Sequence, residues 1–280
     1  MIHAIIEIAP SGLLQGLILS LLVLGVMIPF RLLDFPDLSA EGSYPLGGAM
    51  CASLIVVGVP PIFALILACL CSGMMGVGTA FVHLRYGVNT LLAGIILSTM
   101  IYSVNLRVMG KPNIALFEHP NLFSDLSSGL SSQIIALLII NFVVMCGLFL
   151  FLNTEKGLRF RAVGLNAKFA ERQGANLKKN ITAGLFMGNA LCGLAGALLV
   201  QIQGYADIGI GVGIVIHALA AMMIGEKMIG THTTLRMVAA PFIGAILYQQ
   251  IQGIALAVGM APSDMKLLTG VIVLGIIALR

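Results

Sequence analysis

The chain has 280 residues, of which 59% are hydrophobic and only 9% charged. Soluble domains carry about 25% charged residues, so this composition excludes a soluble fold, and a mean hydropathy of +1.06 points to a bilayer. The net charge of +4 does not speak for nucleic acid, because Lys and Arg collect in one loop beside long apolar runs, the usual signature of membrane topology.

The apolar runs are continuous and close to the ~20 residues that cross a bilayer as a helix. A β-barrel would show short alternating strands instead. The expected fold is therefore all-α and polytopic, with nine membrane segments and broken helices, forming one transmembrane domain over 1–280. Met1 to Pro10 carries only Glu7 and no positive n-region, so no cleavable signal peptide is expected. The first segment runs from about Ser11 to Phe30, followed by a break, Arg31 to Gly42, and a second segment from Ser43 to Val59. The third covers Pro60 to His83 and the fourth Asn89 to Met109. A polar loop, Gly110 to Ser132, with Pro112, Pro120, Asn121 and Asp125, is long enough for a short helix and for contact with a soluble protein; a solvated connector is the equal alternative. The fifth segment is Gln133 to Leu152. After the basic loop come segments at Asn180 to Gln203, Gly209 to Gly225, Leu235 to Val258 and Met265 to Leu279.

The loop Thr154 to Lys179 holds nine of the 26 charged residues, seven of them Lys or Arg. Asn166 can cap a short helix, Ala167 to Gln173, which Gly174 stops, and Asn176 can cap the next. A capped helix in a basic loop has the form of a docking element. With this loop cytoplasmic, alternation puts Arg31, Arg85, Lys227, Arg236 and Arg280 inside too, leaving only Arg107, Lys111 and Lys266 outside. The N-terminus is then expected outside and the C-terminus inside.

The chain also echoes itself: segments one to four (about 11–109) are matched by six to nine (about 180–280) across the linking segment 133–152. Locally, Asp37-Leu-Ser-Ala-Glu-Gly42 stands 170 residues before Asp207-Ile-Gly-Ile-Gly-Val-Gly213. One crossing between the halves would invert the second. Inverted repeats with breaks in matching positions mark transporters and point to the substrate path.

No catalytic constellation is present, so no enzyme activity is expected. Without a GxxxxGK[ST] loop the chain cannot hydrolyse ATP itself, and it is expected to bind no cofactor. The five cysteines, Cys51, Cys69, Cys71, Cys146 and Cys192, lie in apolar runs and read as small packing residues rather than bridges or metal ligands. Small pairs four apart, Gly184/Gly188 and Gly193/Ala197, read as close helix contacts. His217 lies within the seventh segment, where a polar side chain faces protein or a wet cavity, either in a path or in a structural hydrogen bond. In the Arg31 to Gly42 break, Pro36 removes a backbone donor and Gly42 loosens the chain. The break reads either as a solvated turn or as irregular backbone bordering a translocation path. On the second reading the path residues are Asp37, Ser39, Glu41, Ser43 and Tyr44, with Asp207 and His217 from the second half.

At Thr154-Glu-Lys-Gly157 and Arg161-Ala-Val-Gly164-Leu-Asn166, followed by Ala170 and Gly174, the chain resembles the permease subunits of bacterial ABC importers, in the branch of branched-chain amino acid and ribose-type sugar permeases. In that family this pattern forms the cytoplasmic coupling loop. The break before Gly42-Ser-Tyr-Pro-Leu-Gly-Gly48 resembles the second-segment signature but lacks its His, and Ala221-Met-Met-Ile-Gly225 with Glu226-Lys227 departs from a Gly-Gly pair. The resemblance implies two permeases in the inner membrane, two cytoplasmic ATPase subunits that use ATP and Mg, and an external binding protein. On that basis Thr154, Gly157, Arg161, Gly164, Asn166, Phe169, Ala170, Glu171, Arg172 and Gly174 are the expected ATPase-coupling residues. A helix exposing Phe169 and Ala170, rimmed by Lys168 and Arg172, suits a groove on a partner. The expected cargo is a small polar solute, an aromatic or branched-chain amino acid ahead of sugars or nucleosides. The rival is a secondary carrier or channel working without an ATPase, for which few mid-span ionisable residues exist.

Overall fold

The computed structural model describes residues 2–124 and 129–278, with backbone alone for residues 2–8. Asp125 in the outer loop, Leu279 at the end of the ninth expected segment, Arg280 in the cytoplasmic count and the Glu7 side chain lie outside what is described.

Helix α1 (Ile2–Met27) ends in a π-turn at Ile28–Leu32 that contains Pro29. Irregular backbone leads to α2 (Ala40–Val56), then α3 (Pro61–Tyr86) and α4 (Thr90–Met109). Strand β1 (Asn113–Ala115) precedes α5 (Leu130–Leu152), and two short helices of the basic loop follow, α6 (Glu155–Leu165) and α7 (Ala167–Arg172). The rest is α8 (Leu177–Gln203), β2 (Tyr205–Asp207), a 3₁₀ turn at Ile208–Gly211, α9 (Ile214–Ile229), α10 (Thr234–Ala257), a 3₁₀ turn at Pro262–Asp264 and α11 (Met265–Ala278). Among the described residues, six helices are long and apolar enough to span: α1 with its π-turn, α3, α4, α5, α8 and α10.

The helices form in order of burial around α1. Its most apolar stretch is 83% buried, against 17% for α4 and α5, which leave most of their surface to lipid or to another subunit. Helix α1 packs on α5, α8, α9 and α10, while α2 is enclosed by α3, α4 and α8. Between apolar helices in lipid, close backbone approach and polar pairs replace the hydrophobic drive. Both occur here. The glycines at 47, 193 and 196 let α2 and α8 touch: a Cβ on Gly196 would fall on the Tyr44 carbonyl, and one on Gly47 on the Gly193 backbone. Gly188 meets the Gly25 carbonyl of α1 in the same way, so the paired small residues do serve packing. The polar clasp is Asn141 on α5, whose Nδ2 donates to the Leu17 carbonyl (3.0 Å) and whose Oδ1 accepts from Ser20 Oγ (2.5 Å). All five cysteines are free.

Two expectations need correction. Helix α2 begins at Ala40, not Ser43, so Glu41 and Gly42 are helical and the irregular stretch shrinks to residues 33–39. The reason is contact with α4: Gly42 stands where a Cβ would meet Ile101 and Ser98, and the absent side chain that weakens a free helix permits this crossing. In the outer loop no helix forms among the described residues. Instead β1 pairs antiparallel with β2, Asn113 opposite Asp207, and Leu116 N donates to the Gly204 carbonyl (2.7 Å). This pairing joins segments 90 residues apart in the chain, from 115 to 205, and local sequence carries no sign of it.

The packing makes a direct test. Gly196→Leu should cost at least the ~1–3 kcal/mol of overpacking and lower the thermal midpoint in nanodiscs. Gly147→Leu, where an added Cβ meets nothing within 4 Å, should leave it unchanged.

Candidate functional site

Three features lie near the break. The first is the basic loop. Thr154 caps α6, its Oγ1 accepting from Gly157 N (3.2 Å) and donating to the Phe151 carbonyl (2.6 Å). Gly157 presses on the Phe151–Leu152 backbone, which folds α6 back beneath α5. Arg161 then donates to Thr234 Oγ1 and the Leu152 carbonyl (both 3.3 Å), tying α6 to the start of α10. Gly164 lies against the Leu32 carbonyl, at the end of the π-turn, with no room for a Cβ. Asn166 caps α7 by accepting from Phe169 N (3.0 Å), Gly174 turns the chain at φ +85°, and Asn176 caps α8 by accepting from Lys179 N (3.1 Å). Phe169 is 59% exposed, and Glu171 and Arg172 are exposed beside it. Ala170 is buried, contrary to the expected exposed pair: it is on the opposite side of a single turn and faces the protein. Leu165, the last residue of α6, is 88% exposed. Helix α6 itself was not expected, because its Gly157 and Gly164 argue against a helix and only their tertiary contacts explain them.

The second feature is the satisfied break. Asp37 is buried without a cation; its Oδ1 accepts from Ser39 N (2.8 Å) and its Oδ2 from Ser39 Oγ (2.6 Å) and Asn189 Nδ2 (2.9 Å). Asn189 in turn accepts from Ser43 Oγ (2.5 Å), and Ser72 Oγ donates to the Ser43 carbonyl (3.1 Å). Asp37, Ser39 and Ser43 thus touch protein on all sides in this conformation. Asn189 of α8, their common partner, carried no signal in the sequence beyond being polar in a span. Asp207 makes the matching turn at the other end: its Oδ1 accepts from Gly209 N (2.6 Å), the same i to i+2 bond as at Asp37. The 3₁₀ turn that follows Asp207 abuts the start of α2, since a Cβ on Gly211 would fall on the Glu41 carbonyl.

The third feature is a cleft of about 390 Å³ between the start of α2, one face of α4 and the 208–212 turn. Its polar lining is Glu41, Ser98, Thr99, Tyr102, Ser103 and Asn105. The α4 residues recur at i, i+4 and i+7 and so form one stripe on a span that is otherwise apolar. That periodicity is readable in the sequence, though hydroxyls alone in an apolar run carry little signal. The volume falls in the ~300–1,000 Å³ range of small-molecule sites. Of the remaining expected path residues, Tyr44 and His217 share a separate cavity of about 230 Å³ with Gln15 and Gln249. There Tyr248 Oη bonds His217 Nδ1 and Thr269 Oγ1 (2.7 Å each), which joins α9, α10 and α11. On the side of the basic loop Arg31 pairs with Glu226, closing the end of the π-turn onto α9.

A many-helix apolar bundle with a basic loop seated on a broken helix, and a polar cleft beside the break, is in keeping with a multi-pass permease. Residues 8–277 match the family described as branched-chain amino acid transport system / permease component, and the chain belongs to it. It is 35% identical over 268 residues to a tyrosine transport system permease protein of Clostridioides difficile, covering 96% of this chain and 90% of that one. It is also 34% identical over 266 residues to an uncharacterised protein of Rickettsia prowazekii, covering 94% of each. Among solved structures, an ABC transporter of metal-chelate type in an inward-facing conformation shares the fold at a TM-score of 0.52 and 16% identity, covering 94% of this chain and 81% of that one.

The buried carboxylate sets a prediction. Asn189→Leu strips Asp37 of a donor in an apolar surround and should cost about 2–3 kcal/mol, read as a lower thermal midpoint. Adding Asp37→Asn to that variant removes the charge and should recover most of the loss.

Proposed function

We propose that this chain is the membrane-spanning permease of a bacterial ABC importer for an amino acid, with aromatic amino acids ahead of branched-chain ones. The observation that carries this reading is the seat of α6 and α7. An exposed Leu165–Phe169 surface with basic neighbours faces outward, and directly behind it Gly164 abuts the end of α1. A partner ATPase that closes on ATP would press this surface. The push would enter the protein at Leu32–Leu33, pass into the break and tilt α2 against α4, which changes the width of the cleft. Such rigid-body motion of packed helices is the ordinary means of alternating access.

The same proposal includes nine crossings, with α2, α9 and α11 as shortened ones, and an inverted repeat of α1–α4 and α8–α11 about α5. The Asp37 and Asp207 turns, each bonding the i+2 amide, and the short helices after them, 17 and 16 residues long, support it. So does the pairing of β1 with β2, since the α4–α5 loop and the end of α8 belong on one side under that topology. The proposed assembly has two permeases in the inner membrane, two ATPase subunits holding ATP and Mg inside, and a substrate-binding protein outside. The relative named for tyrosine transport and the hydroxyl-lined, partly aromatic cleft favour an aromatic cargo.

Tagged permease purified from its native membrane should bring an ATP-binding subunit with it. The complex in proteoliposomes, with ATP inside and its binding protein outside, should accumulate labelled L-tyrosine. Gly164→Asp should abolish the ATPase stimulation caused by the loaded binding protein while the chain still inserts. Purification of the chain alone, or unchanged stimulation in that variant, would sink the reading.

A further inference from the structure

We propose that the cleft between α2 and α4 is a built recognition site for an aromatic amino acid with a polar ring substituent, in which Glu41 anchors the ammonium group and Asn105 meets the far end of the side chain. The proposal deepens the permease reading and rests on it.

The first observation is Asn105. Its side chain is fully buried, yet neither amide atom has a hydrogen-bond partner among the described residues. Leaving a buried polar group unpaired costs about 1–3 kcal/mol, and such orphans call for a specific reason. Asn105 is among the residues that line the cleft, and a ligand reaching it with both a donor and an acceptor would complete its amide. A phenol hydroxyl is such a group.

The second observation is the character of the opposite end. Glu41 is the only Asp, Glu, Lys or Arg in the cleft lining and makes no ion pair among the described residues. Ser98 Oγ and Thr99 Oγ1 both donate to the Ile95 carbonyl (2.9 and 2.8 Å). Their single protons are used within the helix, so they present lone pairs to the cleft. One carboxylate and two hydroxyl acceptors make this end selective for a cation with several N–H donors, which an ammonium is.

The spacing then decides which part of the ligand reaches Asn105. Seven residues along α4 from Ser98 to Asn105 rise about 10 Å. The ammonium and carboxylate of an amino acid sit on one carbon and cannot span that length, whereas an ammonium and the end of an aromatic side chain can. Tyr102, half exposed and one turn from each, supplies a ring face between them. A neutral sugar would leave the Glu41 charge without a counter-ion, held among the described residues only by the Gly213 backbone amide.

The test uses the permease assembled with its ATPase, carrying Ser103→Cys as a reporter in the cleft, with labelling of the five native cysteines subtracted. A cationic methanethiosulfonate reagent should react faster than an anionic one by about tenfold, a charge effect of ordinary size near a carboxylate. Glu41→Gln should equalise the rates, while Glu41→Asp, which keeps the charge, should preserve the difference. L-tyrosine should protect the reporter at about tenfold lower concentration than L-phenylalanine, the worth of one hydrogen bond, and Asn105→Ala should erase that gap. Equal rates for the two reagents, or equal protection by the two amino acids, with L-tyrosine uptake intact, overturn the site alone. No labelling by either reagent means a dry cleft and overturns the permease path as well.

Discussion

Irregular backbone inside a lipid-facing bundle must find every hydrogen bond within the protein, because hydrocarbon offers none. That constraint shapes this structure at residues 33–39. The chain leaves α1 through a π-turn at Pro29, takes Asp34 through φ +50°, and returns Phe35 N to the Pro29 carbonyl at 2.9 Å. The Asp37 carboxylate then receives three donors, two from Ser39 and one from Asn189. A carboxylate with so many charge-assisted bonds can be held without a cation. Nearly every other contact near the centre of the molecule follows from this one, since α2 starts from it and α8 supplies its last donor.

The same break is where two different surfaces of the protein come within reach of each other. On the side of the basic loop Gly164 rests on Leu32 and Phe160 stacks edge-on against Phe151 at 5.8 Å, so α6 is fixed to the π-turn and α5 at once. On the inner side Gly94 of α4 lies against Leu38 N and the Asp37 carboxylate. A displacement at α6 therefore has a short, rigid route to α4 and the cleft. Soft loops would absorb such a displacement; close-packed backbones transmit it.

The cleft contrasts with the break. Around Asp37 each polar atom has its partner, while along α4 two amide atoms of Asn105 have none. Satisfied polar groups rigidify a fold, and unsatisfied ones at the edge of a cavity mark a place where a ligand completes the count. The cavity around His217 belongs with the first kind, because Tyr248, Thr269 and Gln252 already engage one another there.

Much of this was legible in the residues alone. Apolar run length placed most helices to within about five residues, α1 starting nine residues before the expected Ser11, since the cost of exposing a backbone in lipid is set by composition and length. The caps at Asn166 and Asn176 and the stop at Gly174 were also local, because a cap needs only its own turn. The echo of Asp37 in Asp207 was visible, and the i to i+2 bonds give it a physical content. What the sequence could not reveal was which polar residues point at one another. Asn189 closing on Asp37, Gly164 lying under Leu32, Ala170 turning inward and β1 meeting β2 all depend on segments distant in the chain. Glycine illustrates the difference: on its own it weakens a helix, but Gly42, Gly164 and Gly196 are where helices touch, and only the packing of the partner decides between the two. The sequence by itself determined a membrane bundle with one long basic loop. The tertiary structure decided where that loop rests and which carboxylate faces the cleft, because both are set by contacts between helices and not by any one of them.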